Sequence, residues 1–334
     1  MKKTILASAI AAATFSGAAM AQSTLSASEL AAKMDSMPTV YGNIQYVLKH
    51  TNVDGSGSTV EHADNGSTLG VKHDHEIAPG ITGFFKLELD GISADDKAEA
   101  GVAAIDNVDE AYIGVKGDSF GQVWVGSDDS TYETAIDEIY NFYEVGSDIS
   151  GNYDTGEGDL VQYLSPSFSG LTFGAAVQVN GDGEGEKSYP FQLAAMYEVD
   201  ALELAFAVDS NDTGSANNEN TYGLRASYNL DNLRLTGSYE TRKDVADVFG
   251  VMGVYTMGKN QFALSYQMED NDVSDDKNDT IILQALHNVS DHMYVYVEGY
   301  LSNADGDDFY DDPDGGTQGG DEQSIAAVGA VYYF

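Results

Sequence analysis

The sequence predicts an all-β chain that folds as a sixteen-stranded antiparallel transmembrane β-barrel. Runs of alternating apolar and polar residues recur sixteen times, the links between them alternate between short and long, and the chain ends on such a run, "IAAVGAVYYF". Alternation with a period of two is typical of a strand with one polar and one apolar face. Few prolines (5) beside many glycines (36) and tyrosines (21) also favour an all-β fold over a helical bundle.

The first 21 residues have the parts of a secretory signal peptide. Lys2 and Lys3 precede a short apolar stretch, and Ala19-Met20-Ala21 is a small-residue cleavage site. We therefore expect residues 1–21 to be removed on export, residues 22–38 to form an N-terminal periplasmic extension, and residues 39–334 to form the barrel. The chain has no cysteine, so no disulfide framework is expected after export.

The chain is strongly acidic, with 55 Asp and Glu residues against 15 Lys and Arg residues and a formal net charge of −40. Nucleic acid is excluded as a partner, because phosphate contacts need Lys and Arg. The same charge favours cations. The acidic residues concentrate in the links between apolar runs, as in "DGDDFYDDPDGG" (305–316), which is not the pattern of a disordered chain.

Each run separates an apolar face from a polar one. In Leu171–Val179, for example, Phe173 and Val177 share one face while Gly174 and Gln178 share the other. No run after the signal peptide reaches the roughly 18 continuous apolar residues of a spanning helix. We predict strands at 39–49, 67–76, 80–90, 107–116, 121–127, 158–164, 170–180, 188–198, 202–209, 220–229, 232–242, 247–256, 260–269, 279–288, 292–302 and 323–334.

The links between these strands alternate in length. Short links include 117–121 and 257–260, and long links are predicted at 50–66, 91–106, 128–157, 210–219, 270–278 and 303–322. Membrane barrels have short turns at one end and long loops at the other. Their sheets close because no backbone group facing lipid can stay unpaired. A soluble sandwich or propeller is the alternative, but a soluble sheet has no reason to place acidic inserts at every second turn.

The terminal strand predicts where the barrel closes. Ala326, Val328, Ala330, Tyr332 and Phe334 share one face, which we expect to meet lipid. The aromatic end of this row then lies at the membrane interface, where such side chains are favoured.

The chain resembles the general diffusion porins of Gram-negative outer membranes, the trimeric, sixteen-stranded porin family. The resemblance rests on "VYGNIQYVL" (40–48), "STLGVKH" (67–73), "EAYIGVKGDSFGQVWVGS" (110–127), "LVQYLSPSFSGLTFGAAVQ" (160–178) and the terminal "VGAVYYF". It implies a homotrimer in contact with outer-membrane lipids and lipopolysaccharide, passive diffusion of small hydrophilic solutes and cations, no cofactor and no enzymatic activity. It also implies that the barrel-assembly machinery recognises the strand ending at Phe334, and that the third long loop folds inward.

By position, residues 128–157 correspond to that constriction loop. The segment contains no Lys or Arg, and its acidic residues are Asp128, Asp129, Glu133, Asp137, Glu138, Glu144, Asp148, Asp154 and Glu157. It also carries more apolar side chains than a solvated loop needs, so we expect it to insert into the bore and line it with acids. The alternative is an acidic loop outside the pore.

Members of this family carry arginines on the wall opposite the loop. At the corresponding positions this chain has Asn43, Thr68, Asp109 and Ser127. By strand parity we expect Lys49, Lys72 and Lys86 to form the opposing wall together with Asn43, and Arg225 and Arg234 to point inward as well. Because rings of acids favour cations, the sequence predicts a cation-selective pore.

Three other functions stay open. The first is a substrate-specific channel in which aromatic residues of the loop form a path for sugars: Tyr132, Tyr140, Tyr143 and Tyr153. The others are a barrel adhesin and a barrel hydrolase, although the sequence shows no pair of residues for catalysis. A metal site is not expected, because His73 and His75 share one strand face but have no third ligand in sequence reach.

Overall fold

The computed structural model describes residues 37–92, 94–95, 107–146, 149–179, 188–213, 217–306, 309–316 and 319–334. The predicted signal peptide, residues 22–36 of the predicted extension, and Asp148 lie outside the described residues. No helix in the described part of the chain is long and apolar enough to cross a membrane.

The described residues form strands, one short helix and a 3₁₀ turn. The helix, α1, is Thr131–Ile136, and the turn is Tyr140–Phe142. The strands are β1 (Thr39–Val53), β2 (Ser58–Asp64), β3 (Leu69–Ala78), β4 (Ile81–Asp90), β5 (Asn107–Gly117), β6 (Gly121–Ser127), β7 (Leu160–Leu164), β8 (Leu171–Gln178), β9 (Phe191–Val199), β10 (Leu202–Asp209), β11 (Thr221–Leu230), β12 (Leu233–Arg242), β13 (Ala246–Met257), β14 (Asn260–Asn271), β15 (Lys277–Ser290), β16 (Met293–Ala304) and β17 (Glu322–Tyr333).

The strands form one closed antiparallel sheet. Neighbours along the chain pair with each other, and β1 pairs with β17 through residues 43–53 and 323–333. β2 and β3 share one position, because β2 pairs with the second half of β1 and β3 with residues 39–42 of β1. The seventeen strands of the described chain therefore occupy sixteen positions, which confirms the predicted sixteen-stranded barrel.

The sequence prediction missed β2, which falls in the link predicted as a long loop. Its sequence, "STVEHAD", has polar residues on both faces and so lacks the alternation that marks the other strands. Asp64 ends it by accepting hydrogen bonds from the backbone N–H groups of Gly66 (2.9 Å) and Ser67 (2.7 Å). These bonds close a tight turn, after which β3 continues the same barrel position.

The two faces of the sheet differ as the alternation predicts. Phe173 and Leu193 are exposed, whereas Gln162 and Gln192 on the other face are buried. In a membrane barrel the apolar face meets lipid and the polar face lines the interior. On the closing strand Tyr332 is exposed in the same way, which agrees with the lipid-facing row predicted for the last residues.

Candidate functional site

Segment 128–157 connects β6 to β7 and begins with helix α1. The Ser130 hydroxyl caps the helix by accepting a hydrogen bond from the N–H of Glu133 (3.2 Å). Tyr132, Ala135 and Ile136 form its buried face. They pack against small wall residues, namely Ala194, Ala205 and Ala207. Because those wall residues are small, α1 lies close to the strands and contacts β8 to β11.

The second half of the segment packs farther around the barrel. Ile139 and Tyr143 form a buried cluster with Met252, Ile282 and Tyr300 on β13, β15 and β16. The carboxylate of Glu298 on β16 accepts hydrogen bonds from the N–H groups of Glu144 (2.9 Å) and Val145 (3.0 Å). The segment thus contacts the polar face of strands from β7 to β16.

These contacts bear on the alternative of a sugar path along four aromatic side chains, Tyr132, Tyr140, Tyr143 and Tyr153. Tyr132 and Tyr143 are 0% and 6% exposed, so their rings fasten the segment to the wall and are not free to stack on a sugar. Tyr153 lies against Tyr132 with ring centroids 4.7 Å apart, and its hydroxyl donates to Asp137. Tyr132 and Tyr143 are therefore unavailable for a sugar path, whereas Tyr140 and Tyr153 are half-buried.

Glu138 is held by basic side chains of the wall. The guanidinium of Arg234 donates to both carboxylate oxygens (2.6 and 2.8 Å), and Arg225 donates to Oε2. The hydroxyls of Ser227 and Thr236 add hydrogen bonds of 2.9 and 2.8 Å. Burial opposes ionisation, but these donors outweigh it and lower the pKa of Glu138 to about 2. Its charge is compensated by the two arginines.

Asp137, the preceding residue, has a different environment. It is 4% exposed and close enough to Glu240 of β12, which is 5% exposed, for the two carboxyl groups to interact. The Tyr153 hydroxyl donates to Asp137 and the Tyr132 hydroxyl donates to Glu240, each at 2.8 Å. Burial, followed by the charge of Glu240, raises the pKa of Asp137 to about 8. The sequence predicts that Asp137 lines the bore, but its side chain is buried against the wall.

Three acids of the segment form a patch that we call the acidic patch: Asp129, Glu133 and Glu157. One carboxylate oxygen from each lies within 4.8 Å of the others. Desolvation, followed by the charges of Glu133 and Asp129, raises the pKa of Glu157 to about 7. Oxygen ligands at such spacing suit hard cations.

Two further acids of the segment, Asp128 and Glu144, each accept a side-chain hydrogen bond. Asp128 accepts a hydrogen bond from Trp124 Nε1 (2.6 Å), while burial and then the charge of Glu110 raise the pKa of Asp128 to about 6. Glu144 is half-buried and accepts a hydrogen bond from the Tyr294 hydroxyl (2.8 Å).

The residues predicted as the opposing wall lie on β1, β3 and β4. Lys49 pairs with Glu61 at 3.1 Å. Lys86 pairs with Glu88 at 3.4 Å and also with Glu110.

The other two predicted wall residues have no such carboxylate partners among the described contacts. Lys72 lies with Nζ 4.7 Å from the centre of the Tyr41 ring. Asn43 is buried and donates to Thr68 Oγ1 (3.0 Å). Asp129 is near enough to Lys86 and Glu88 to interact electrostatically, which brings the acidic patch to this wall.

Sequence reasoning missed two residues of this wall, Tyr41 and Glu110. Tyr41 could have been found by parity, since it lies two residues before Asn43 and therefore on the same face of β1. A β-bulge at Asp109 was not predictable, and it lies where Glu88 pairs with Glu110 and Leu89 pairs with Val108. Bulges often re-aim a side chain next to a functional site. Here Asp109 interacts electrostatically with Glu88, Glu110 and Asp129.

A closed barrel with an apolar outer face and a polar, charged interior defines a channel-forming membrane protein. A family model described as Gram-negative porin matches residues 7–307. The chain belongs to the Gram-negative porin family. It is therefore an outer-membrane porin channel and not an enzyme.

Similar proteins agree with this assignment. A protein named monosaccharide porin from Halomonas sp is 30% identical over 391 residues, which covers 100% of both chains. The solved anion-selective porin from Comamonas acidovorans has a TM-score of 0.73 at 20% identity and covers 89% of this chain and 99% of its own. The trimer form of OmpT from Vibrio cholerae has a TM-score of 0.60 at 15% identity and covers 89% of this chain and 99% of its own. These two structures share the fold.

Proposed function

We propose that the chain forms a diffusion channel for small hydrophilic solutes and ions that prefers cations and is narrowed by segment 128–157 lying across the bore. The observation that carries this proposal is the contact of the segment with the polar face of strands from β7 to β16, through Gln162, Glu240 and Glu298 among others. A segment attached to that face at so many positions leaves its remaining side chains directed at the water-filled interior.

The balance of paired and unpaired charges supports cation preference. Two of the three predicted wall lysines, Lys49 and Lys86, are ion-paired with carboxylates, so their positive charge is largely compensated. In the described part of the chain no Lys or Arg lies within ion-pair distance of Asp129, Glu133 or Glu157. A negative lining of this kind concentrates cations and repels anions.

The reversal potential in a planar bilayer under a KCl gradient tests this proposal. We expect the purified protein to give a potential near the K⁺ limit. The triple variant D129N/E133Q/E157Q removes the charges of the acidic patch. It should lower the K⁺/Cl⁻ permeability ratio several-fold and so move the reversal potential toward zero.

A control with equal charge removal is D311N/D314N/D321N, which changes three exposed acids outside the segment. This variant should leave the potential close to that of the unmodified protein. A potential that leans toward Cl⁻, or an equal effect of both triple variants, would contradict the proposal.

A channel specific for monosaccharides is the second candidate, favoured by the name of the Halomonas relative. Liposome swelling with glucose separates the two candidates. Rates that saturate with glucose concentration favour a specific channel, and rates that rise in proportion favour free diffusion.

We also propose a homotrimer, with support from the fold shared with the trimer form of OmpT. Native mass spectrometry of the protein in detergent tests the number of chains. The signal peptide 1–21, the extension 22–38, contacts with lipid and lipopolysaccharide, and recognition of the Phe334 strand by the barrel-assembly machinery stay predictions.

A further inference from the structure

Two buried carboxyl groups join three parts of the molecule. Asp137 follows helix α1 directly, and its N–H donates to the Glu133 carbonyl (2.9 Å). Glu240 belongs to β12 of the wall. The returning part of the segment, residues 149–157, covers the pair. A side chain at Gly151 would collide with the Glu240 carboxylate, and the Tyr153 hydroxyl donates to Asp137. Helix, returning part and wall therefore meet at this pair.

Within the described ranges, no basic side chain is paired with Asp137 or Glu240. Arg225 on β11 donates to the Ala135 carbonyl and to Glu138. Arg242 on β12 donates to Asp154 and to the Asn217 carbonyl, 2.7 Å each. Both arginines are thus committed to other partners.

The titratable groups that face the pair from the segment are acids and phenols. They are Glu133, whose charge disfavours ionisation of Asp137, and the hydroxyls of Tyr132 and Tyr153. On β10, Asp209 is buried and hydrogen-bonded to Gln192, Thr155 and Asn211. Two interacting carboxyl groups that are both buried, with no basic partner among the described residues, favour keeping a proton on one of them, because two buried negative charges side by side are strongly disfavoured.

We propose that Asp137 and Glu240 form a proton-held latch, which keeps segment 128–157 against the wall at neutral pH and releases helix α1 at alkaline pH. When a base from the solvent removes the shared proton, no other bond is broken and two carboxylates remain. These repel each other and require water, so helix α1 and the returning part of the segment separate from β12.

The titration behaviour agrees with this geometry. Burial raises the pKa of Asp137 to about 8, within the range where such a latch responds. Burial also raises the pKa of Tyr132 and of Tyr153 far above the ordinary phenol value, so these hydroxyls stay protonated while the latch opens.

Hydrogen–deuterium exchange of the full-length protein in nanodiscs tests the latch. The amides of helix α1 are compared between the unmodified protein and D137N at about pH 7 and about pH 9.5. In D137N the amide group donates to Glu240 without any shared proton, so its contact does not depend on pH. Taking the ratio of the two proteins at each pH removes the intrinsic pH dependence of exchange.

We expect the exchange rate of α1 in the unmodified protein, divided by that in D137N, to rise on the order of tenfold between the two pH values. Each pH unit above the pKa lowers the population of the protonated pair tenfold. E240Q should behave like D137N. For amides of β14, the exchange rates of the three proteins should be equal at each pH. A ratio that stays constant, or an alkaline rise that persists in both amide variants, would overturn the latch.

Single-channel conductance adds a second measurement. We expect the conductance to change at alkaline pH and D137N to abolish that change. This expectation rests on the proposed function, which places the segment in the bore. Exchange that responds while conductance does not would support the latch and contradict that position, so the two proposals fail separately.

Discussion

Segment 128–157 is fastened to the barrel by two neighbouring acids in opposite ways. Glu138 contacts Arg225 and Arg234 and is ionised, with a pKa lowered to about 2. Asp137 contacts a second carboxyl group, Glu240, and its pKa is raised to about 8. One contact depends on the loss of a proton and the other on its retention.

The difference teaches that, in the channel proposed above, the acids of segment 128–157 would not contribute equally to selectivity. Glu138 is neutralised by arginines, and Asp137 is buried with its proton. Glu144 accepts a hydrogen bond from Tyr294. Under that proposal the charge that acts on passing ions is concentrated in Asp129 and Glu133, and in Asp128 and Glu157 above their raised pKa values.

The largest effect is expected from breaking the ionised contact. Glu138→Gln leaves Arg225 and Arg234 with one uncompensated positive charge, and it weakens charge-assisted hydrogen bonds worth about 1.5–3 kcal/mol each. We expect cation preference to fall several-fold in the reversal potential, and helix α1 amides to exchange faster at neutral pH.

Glu203→Gln is the matched control for this variant. Glu203 pairs with Arg234 at 2.7 Å in the same cluster, but it belongs to the wall and not to the segment. This change removes the same charge and should lower cation preference without faster exchange of α1. If E203Q loosens α1 as much as E138Q does, Glu138 is not the attachment point.

The fold was largely predictable because the lipid imposes a period of two on each strand. The predicted β12, 232–242, differs by one residue from the observed Leu233–Arg242. The exception is β2, whose polar residues occur on both faces. Its pairing depends on β1 and on the turn at Asp64, which no alternation reveals.

The site was predictable only in its composition. The sequence indicates an acidic segment with apolar residues, but not which acid is neutralised. Arg225 and Arg234 are 87 and 96 residues from Glu138 along the chain, and only closure of the sheet brings them together. Asp137 and Glu138 are adjacent in sequence, so their different partners follow from the position of α1 on the wall.

Acid should break the Glu138 contact and spare the Asp137 contact. Because the folded pKa of Glu138 is depressed, its stabilisation is fully present above its ordinary value of 4.5 and is lost as pH falls through about 2. The raised pKa of Asp137 has the opposite sign, so the latch keeps its proton in acid. Pepsin should therefore cleave segment 128–157 faster at about pH 2 than at about pH 4, beyond the change in pepsin activity itself.

E138Q supplies the reference for this measurement, since its segment has no such carboxylate to protonate. Its cleavage should change between the two pH values only as much as a peptide substrate does. Equal acid sensitivity of E138Q and the unmodified protein would mean that another group controls the segment in acid.

The smallest expected effect is the different response of the two contacts to salt. Raising KCl from about 0.1 M to about 1 M shortens the screening length from about 10 Å to about 3 Å. In D137N the segment depends more on the Glu138–arginine contact, so α1 exchange should rise by a few-fold at most, because partly buried pairs are screened less than exposed ones. In E138Q the Asp137–Glu240 contact remains, and it is held by a proton and not by opposite charges. Exchange in E138Q should therefore stay constant with salt, and a rise equal to that of D137N would show that the latch is ionic.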